Sequence, residues 1–338
     1  MENFMDRSRV PMVAGRKQSL PRVYGDTPTF LGVPRISDGK ELGGNDVVIV
    51  GVPWEGTITW GGYSGCELSP KTIRHAAARY GGYLPEVDLD FFDYLRIADA
   101  GDICVVPGNE IATMQSIENR TAEIVSAGAI PFLLGGDHSF TPAAIKALAR
   151  SVEGKIGVIH FDAHLDNAEN FGEDLYPRCS PLHHIANNPN VKKTSIVQIG
   201  IRGPRNSKRQ MEHSRELGIK VFTMEAIRTI GLNTVIDEAI KTASEGTKAL
   251  YVTICSDVID AAFNPGGPCD FDGFTPQELF HSLRTIGKHG ISGLDFVEIY
   301  PLQDPNGFSS HLAAWTLINA LAGMALGKRK TYAPSKSL

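Results

Sequence analysis

The most constraining feature of this sequence is a set of short apolar runs, most of them continuous and not alternating, that recur from one end to the other. Eight have strand length: 46–52, 95–99, 131–134, 156–161, 195–201, 220–223, 249–254 and 293–299. A strand with one wet face alternates apolar and polar residues. A run that is apolar throughout is buried on both faces, which is the situation of parallel strands covered by helices. Stretches with helical patterning separate the runs, at 70–80, 111–127, 142–151, 205–217, 234–244, 276–287 and 310–326. Ser69-Pro70 and Thr275-Pro276 supply N-cap and first-turn signals. The alternation predicts an α/β fold: a three-layer αβα domain around a mostly parallel eight-stranded sheet. It spans 45–330 as one domain. Residues 1–44, rich in Pro, Gly, Arg and Ser without periodicity, read as an N-terminal arm, either a loose tail or a strap across a neighbouring subunit.

Bulk properties narrow the class. The 338 residues carry a net charge of −5, and no Lys/Arg run suggests a nucleic-acid or membrane-surface patch. No apolar run approaches the length of a membrane span, and residues 1–17 lack the apolar stretch of a signal peptide. The five cysteines, Cys66, Cys104, Cys179, Cys255 and Cys269, are odd in number and form no CxxC pair. That usage suits free thiols in a reducing compartment, so a cytoplasmic location is expected.

Polar clusters directly follow three of the runs: Gly135-Gly136-Asp137-His138-Ser139, Asp162-Ala163-His164-Leu165-Asp166-Asn167 and Cys255-Ser256-Asp257-Val258-Ile259-Asp260. Glu298 sits within the last run. Ligands of open α/β sheets bind outside the carboxyl ends of the strands, so these residues should converge on that edge. If the segment stays extended, Asp162, His164 and Asp166 project the same way and offer carboxylate oxygens with an imidazole. Such a set suits Mn²⁺, Ni²⁺, Zn²⁺ or Fe²⁺, and carboxylates this crowded repel unless a cation neutralises them. The competing reading is helix capping, which is strongest for Asp137.

In order and spacing, segments 135–139, 162–166 and 257–266 resemble the three signature motifs of the arginase/agmatinase (ureohydrolase) family, which includes guanidinobutyrase, formiminoglutamase, guanidine hydrolase and metformin hydrolase. Gly61-Gly62-Tyr63-Ser64-Gly65, Gln198–Arg202 and Asp295–Ile299 are similar to further parts of the family pattern. The resemblance implies an arginase-like sheet and a hydrolase cutting the C–N bond of a guanidine-type substrate. It implies two divalent ions, manganese or nickel: His138, Asp162 and Asp166 would hold one, and His164, Asp162 and Asp257 the other. Asp166 would orient the nucleophile. Glu298 would bind the substrate's cationic nitrogens, because a carboxylate is the natural partner of a planar guanidinium. Trimers or hexamers are common in the family.

Two departures from the pattern stand at catalytic positions. Cys255 replaces an Asp that would bridge both metals. A thiolate could ligate Ni²⁺ or Zn²⁺, but free cysteine is more often a small buried residue, which would leave the metal pair weakened. Arg178 occupies the place of the family's proton-shuttling His and cannot titrate near neutral pH; His183 and His184 are the nearby substitutes. The lip segments 167–178 and 266–273 also depart from the pattern. Together these changes imply an altered subunit of a heteromeric hydrolase of the metformin hydrolase type, working beside a homologous catalytic chain. The reading from a different class is a scaffold that keeps the fold without metal.

Overall fold

The computed structural model describes residues 28–37, 39–57 and 63–332. Strand β1 (Val47–Gly51) leads through helix α1 (Ser69–Ala77) and a small hairpin, β2 (Tyr83–Leu84) and β3 (Leu89–Asp90), to β4 (Ile97–Asp102). Then follow α2 (Glu110–Ser126), β5 (Ile130–Leu134), α3 (Thr141–Ser151), β6 (Ile156–Phe161), α4 (Pro181–Asn187) and β7 (Val191–Ile201). Next come α5 (Lys208–Glu216), β8 (Lys220–Thr223), α6 (Met224–Ile230), α7 (Leu232–Ser244) and β9 (Ala249–Cys255). The chain closes with α8 (Pro276–His289), β10 (Gly293–Val297) and α9 (Phe308–Tyr332).

All strands but the hairpin join one sheet in the order β4-β1-β5-β10-β9-β6-β7-β8, and every pairing in it is parallel. The eight-stranded αβα architecture expected from the apolar runs is therefore present. Alternate residues of a strand feed opposite faces. Val47 and Ile49 join one apolar core with α1, α7, α8 and α9, while Val48 and Val50 join the other with α2, α3 and α4. Thr275 caps α8 reciprocally with Glu278, and Pro276 follows in the first turn, as the sequence signal requires. No helix among the described residues is long and apolar enough to cross a membrane.

Several local expectations change. The last strand stops at Val297, because Glu298 takes a left-handed backbone (φ 64°) and leaves the ladder. Segment 162–166 is not extended: it bends directly after β6, and Asp166 also has positive φ (47°). Helices α4 and α6 were absent from the expected set, each being seven residues long and too short to show a period. Of the stretch read as an arm, residues 1–27 lie outside the described residues. Phe30, Leu31 and Leu42 are buried, and the Phe30 amide donates to Asp99 Oδ2 at 2.8 Å. At the other end, α9 continues past Gly327 to Tyr332.

Candidate metal centre and carboxylate pocket

The four central strands, β5, β10, β9 and β6, carry the polar clusters at their carboxyl ends. The Gly135-Gly136 pair explains how the first one gets there. A Cβ on Gly136 would lie 1.9 Å from the Trp54 carbonyl oxygen. Only glycine lets the chain pass this close to the exit of β1. The chain then turns into a short 3-10 segment capped by Asp137, whose Oδ1 accepts from the Ser139 amide at 3.0 Å. The capping reading of Asp137 thus describes its geometry, but its other oxygen has a second role described below.

His138 is buried, with Nδ1 3.2 Å from Asp162 Oδ2 and 3.1 Å from Asp166 Oδ2. It lies off the hydrogen-bonding direction of both, so this buried nitrogen has no hydrogen-bond partner. The opposite nitrogen, Nε2, meets Thr253 Oγ1 at 2.9 Å, and that hydroxyl donates to Asp295 Oδ1 at 2.6 Å. Such an outer chain fixes which imidazole nitrogen faces the carboxylates. Burial disfavours a charged His138 ring, but the paired carboxylates of Asp162 and Asp166 outweigh it and raise its pKa well above the ordinary value.

Asp162 is the hub. Its Oδ2 also lies 3.0 Å from His160 Nε2, and its Oδ1 accepts the His164 amide at 2.6 Å. His164 Nδ1 stands 3.5 Å from Asp162 and 3.0 Å from Asp257, and its Nε2 3.3 Å from Asp270. Asp257 anchors the bend after β6 by accepting the Ala163 amide at 2.9 Å. The ligand atoms of His138, His160, Asp162 and Asp166 all lie within 4.8 Å of one another, as do those of Asp162, Cys255 and Asp257, and those of His164, Asp257 and Asp270. The five residues singled out as metal ligands are therefore brought together although their segment is bent. A donor set of imidazoles and carboxylates with an orphaned, buried Nδ1 fits a divalent cation at His138, Asp162 and Asp166. The neighbouring position contains Cys255, which is 2% exposed. Burial, reinforced by Asp162 and Asp257, holds its thiol protonated, with a pKa well above the ordinary value.

Beside this cluster lies a pocket of carboxylates around Arg178. The guanidinium places NH1 3.1 Å from Glu298 Oε2 and NH2 3.2 Å from Glu55 Oε1 and 3.5 Å from Asp137 Oδ2. Glu298 Oε1 accepts the His138 amide at 2.7 Å, and Oε2 accepts the Tyr300 hydroxyl at 2.6 Å. Burial pushes the Glu298 carboxyl up to about 7, against the pull of Arg178. His183 and His184, the candidate shuttle substitutes, lie on α4 away from the cavity, and His184 Nε2 is bonded to the Leu175 carbonyl.

His160, Asp270, Glu55 and Tyr300 belong to the site and were not singled out from sequence. His160 was legible: it stands two residues before Asp162, hence on the same face of β6. Glu55 was legible as the acid just past the end of β1. Asp270 lies in the lip segment 266–273, and its approach to His164 is a tertiary contact.

The arginase family model matches residues 45–323. Formimidoylglutamase of Halalkalibacterium halodurans is 33% identical over 301 residues, covering 86% of this chain and 90% of that protein. Guanidinopropionase of Pseudomonas aeruginosa is 30% identical over 308 residues, covering 90% and 94%. The solved structure of proclavaminate amidinohydrolase from Streptomyces clavuligerus superposes with a TM-score of 0.80 at 28% identity, covering 90% of this chain and 99% of that one.

Proposed function

The chain belongs to the arginase family of hydrolases acting on linear amidines, and from that premise we propose that it is the altered subunit of a dinuclear-metal hydrolase of guanidine-type C–N bonds. The observation that carries this reading is the joint state of the site: His138, Asp162, His164, Asp166 and Asp257 converge, while Cys255 and Arg178 stand where the family pattern has a carboxylate and a histidine.

His138, Asp162 and Asp166 would hold one ion, and His164, Asp162 and Asp257 the other, manganese or nickel by likeness to the family. Two bound divalent ions lower the pKa of a shared water and supply hydroxide near neutral pH. Around that chemistry the chain's own groups have distinct tasks. Asp166 accepts a hydrogen bond from the attacking nucleophile and orients it. By family likeness Glu298, which lines the cavity and in this chain pairs with Arg178, is the carboxylate for a substrate's cationic nitrogens. The Thr253–Asp295 chain fixes the His138 ring. What is missing is a group that moves protons near neutral pH at Arg178, and a second oxygen-rich ligand at Cys255. Autonomous turnover is then weak or nil, and a homologous catalytic chain supplies the activity in a hetero-oligomer, a trimer or hexamer by family likeness. The substrate class is small guanidines, including biguanides such as metformin and agmatine-like amines. The cysteines found free among the described residues suit work in a reducing cytoplasm.

The test is the metal content of the purified chain by elemental mass spectrometry, alone and as Cys255→Asp. Fewer than two ions per chain are expected for the natural sequence, and a rise for the variant. An unchanged content would sink the assignment of Cys255 as the lost ligand, and no metal in either would favour the scaffold reading. For the partner, the chain is isolated from its source under mild conditions. A second, homologous chain is expected in the complex, and a homogeneous homo-oligomer with full activity would count against it.

A further inference from the structure

Glu298 already accepts three hydrogen bonds. Its Oε1 takes the His138 amide, and its Oε2 takes the Tyr300 hydroxyl and Arg178 NH1. The group that completes this set is a guanidinium, held on its far side by Glu55 and Asp137. The arginine side chain is itself an alkylguanidinium. It comes from the lip segment and lines the same cavity, of about 130 Å³, as His138, Asp166, Cys255 and Glu298. It is 6% exposed, and its three carboxylate partners are as buried or more so.

We infer that Arg178 is an internal ligand of this chain's own guanidinium pocket: its side chain occupies the position an external guanidinium would take on Glu298 and so keeps such ligands out. The inference deepens the reading of the site as guanidine-directed and rests on it. Three observations argue for occupancy over a plain structural latch. The site sets three buried carboxyl groups, from three separate segments, around one guanidinium. Glu298 is held in a left-handed backbone, an uncommon conformation for a residue with a Cβ, which aims its carboxylate at the cavity. Arg178 Nε is buried with no hydrogen-bond partner among the described residues, so the planar fork is matched to the carboxylates by its two terminal nitrogens alone.

The consequence is a vacancy that a small cation fills when the side chain is cut away. The probe is guanidinium chloride, with urea as its neutral isostere, titrated into the full-length metal-free chain by calorimetry and by thermal melting. The natural chain should show no saturable binding at low millimolar concentrations. Arg178→Ala should bind guanidinium at least about tenfold more tightly than the natural chain does, and urea not at all, because a charge-assisted pair on a buried carboxylate is lost with the neutral ligand. Adding Glu298→Gln to Arg178→Ala should abolish the gain. A folded Arg178→Ala chain that binds no better than the natural one, or binds urea equally well, overturns the inference. If Arg178→Ala fails to fold, about 10 mM guanidinium chloride, far below denaturing levels, should restore its circular dichroism by binding the native state. No recovery overturns the inference as well. Neither measurement involves metal or turnover, so a negative result here leaves the metal-content test standing, and the reverse.

Discussion

Glu298 shows how several modest effects combine at one residue. Burial drives its carboxyl toward the neutral form and Asp137 adds to that push, while Arg178, the Tyr300 hydroxyl and the His138 amide pull back, leaving it at about 7. The buried Cys66 thiol, 4.0 Å away, is uncharged at this pH, burial holding it well above its ordinary pKa. Truncating Arg178 removes the strongest of the lowering influences, so the carboxyl of Arg178→Ala must titrate higher still. Guanidinium keeps its charge throughout and binds the ionised carboxylate only. Its affinity for Arg178→Ala should therefore climb by about tenfold per pH unit below that pKa and level off above it, a linkage that calorimetry between about pH 6 and about pH 9 would resolve. A flat profile would mean that Glu298 is not the partner. The residue types of this site were legible because strand ends in such sheets concentrate polar groups. The pairing of Arg178 with Glu298 was not, since the two lie 120 residues apart and nothing local in either segment announces the other.

At the scale of elements, the edge of the sheet is fastened by a buried ion pair. Arg74 on α1 reaches Asp99 on β4 through two bonds, Nε to Oδ2 at 2.8 Å and NH2 to Oδ1 at 2.9 Å. Asp99 also accepts the amides of Phe30 and Gly101, at 2.8 and 2.9 Å. One carboxylate thus ties the entering segment, the edge strand and the first helix together. Arg74 is 1% exposed and Asp99 0%. Asp99→Ala leaves a buried guanidinium without its main partner and should cost roughly 3–5 kcal/mol, read from the shift of the urea midpoint at constant slope. A loss below about 1 kcal/mol would show that water reaches Arg74 after all. The sequence places both elements nearly correctly, since a short strand-like run and a proline in the first helical turn are local signals, although Ser69 is the first helical residue and not the cap. That reading ends the strand at Asp99 because the next residues, Ala100-Gly101-Asp102, are polar or small, and only the register with β1 carries β4 on to Asp102.

Across the whole molecule, the last helix connects the far side of the core to the lip of the site. At its start, Ser309 Oγ accepts the Gly266 amide at 2.7 Å, holding the segment that borders the cavity. Further along it lies against α8 at contact distances that only glycine permits. A Cβ on Gly323 would fall 2.5 Å from the Arg284 carbonyl oxygen and 2.9 Å from its Cα; Gly287 and Gly327 face similarly close backbone. Pattern reading found both helices, but a glycine inside a helical period gives no sign of whether it is a weakness or a close approach. The two possibilities predict opposite signs for Gly323→Ala. On propensity alone, the alanine stabilises an exposed helix position by up to about 1 kcal/mol. Against backbone 2.5 Å away no rotamer can yield, so α8 and α9 must separate and lose packing along both helices, which costs about 1–3 kcal/mol. Sterics should win. The variant should melt lower than the natural chain, and the displacement should reach Gly266 through Ser309 as faster hydrogen exchange of the Gly266 amide. A raised melting temperature with unchanged exchange would show that the two helices have slack between them and that the lip is held independently of the core.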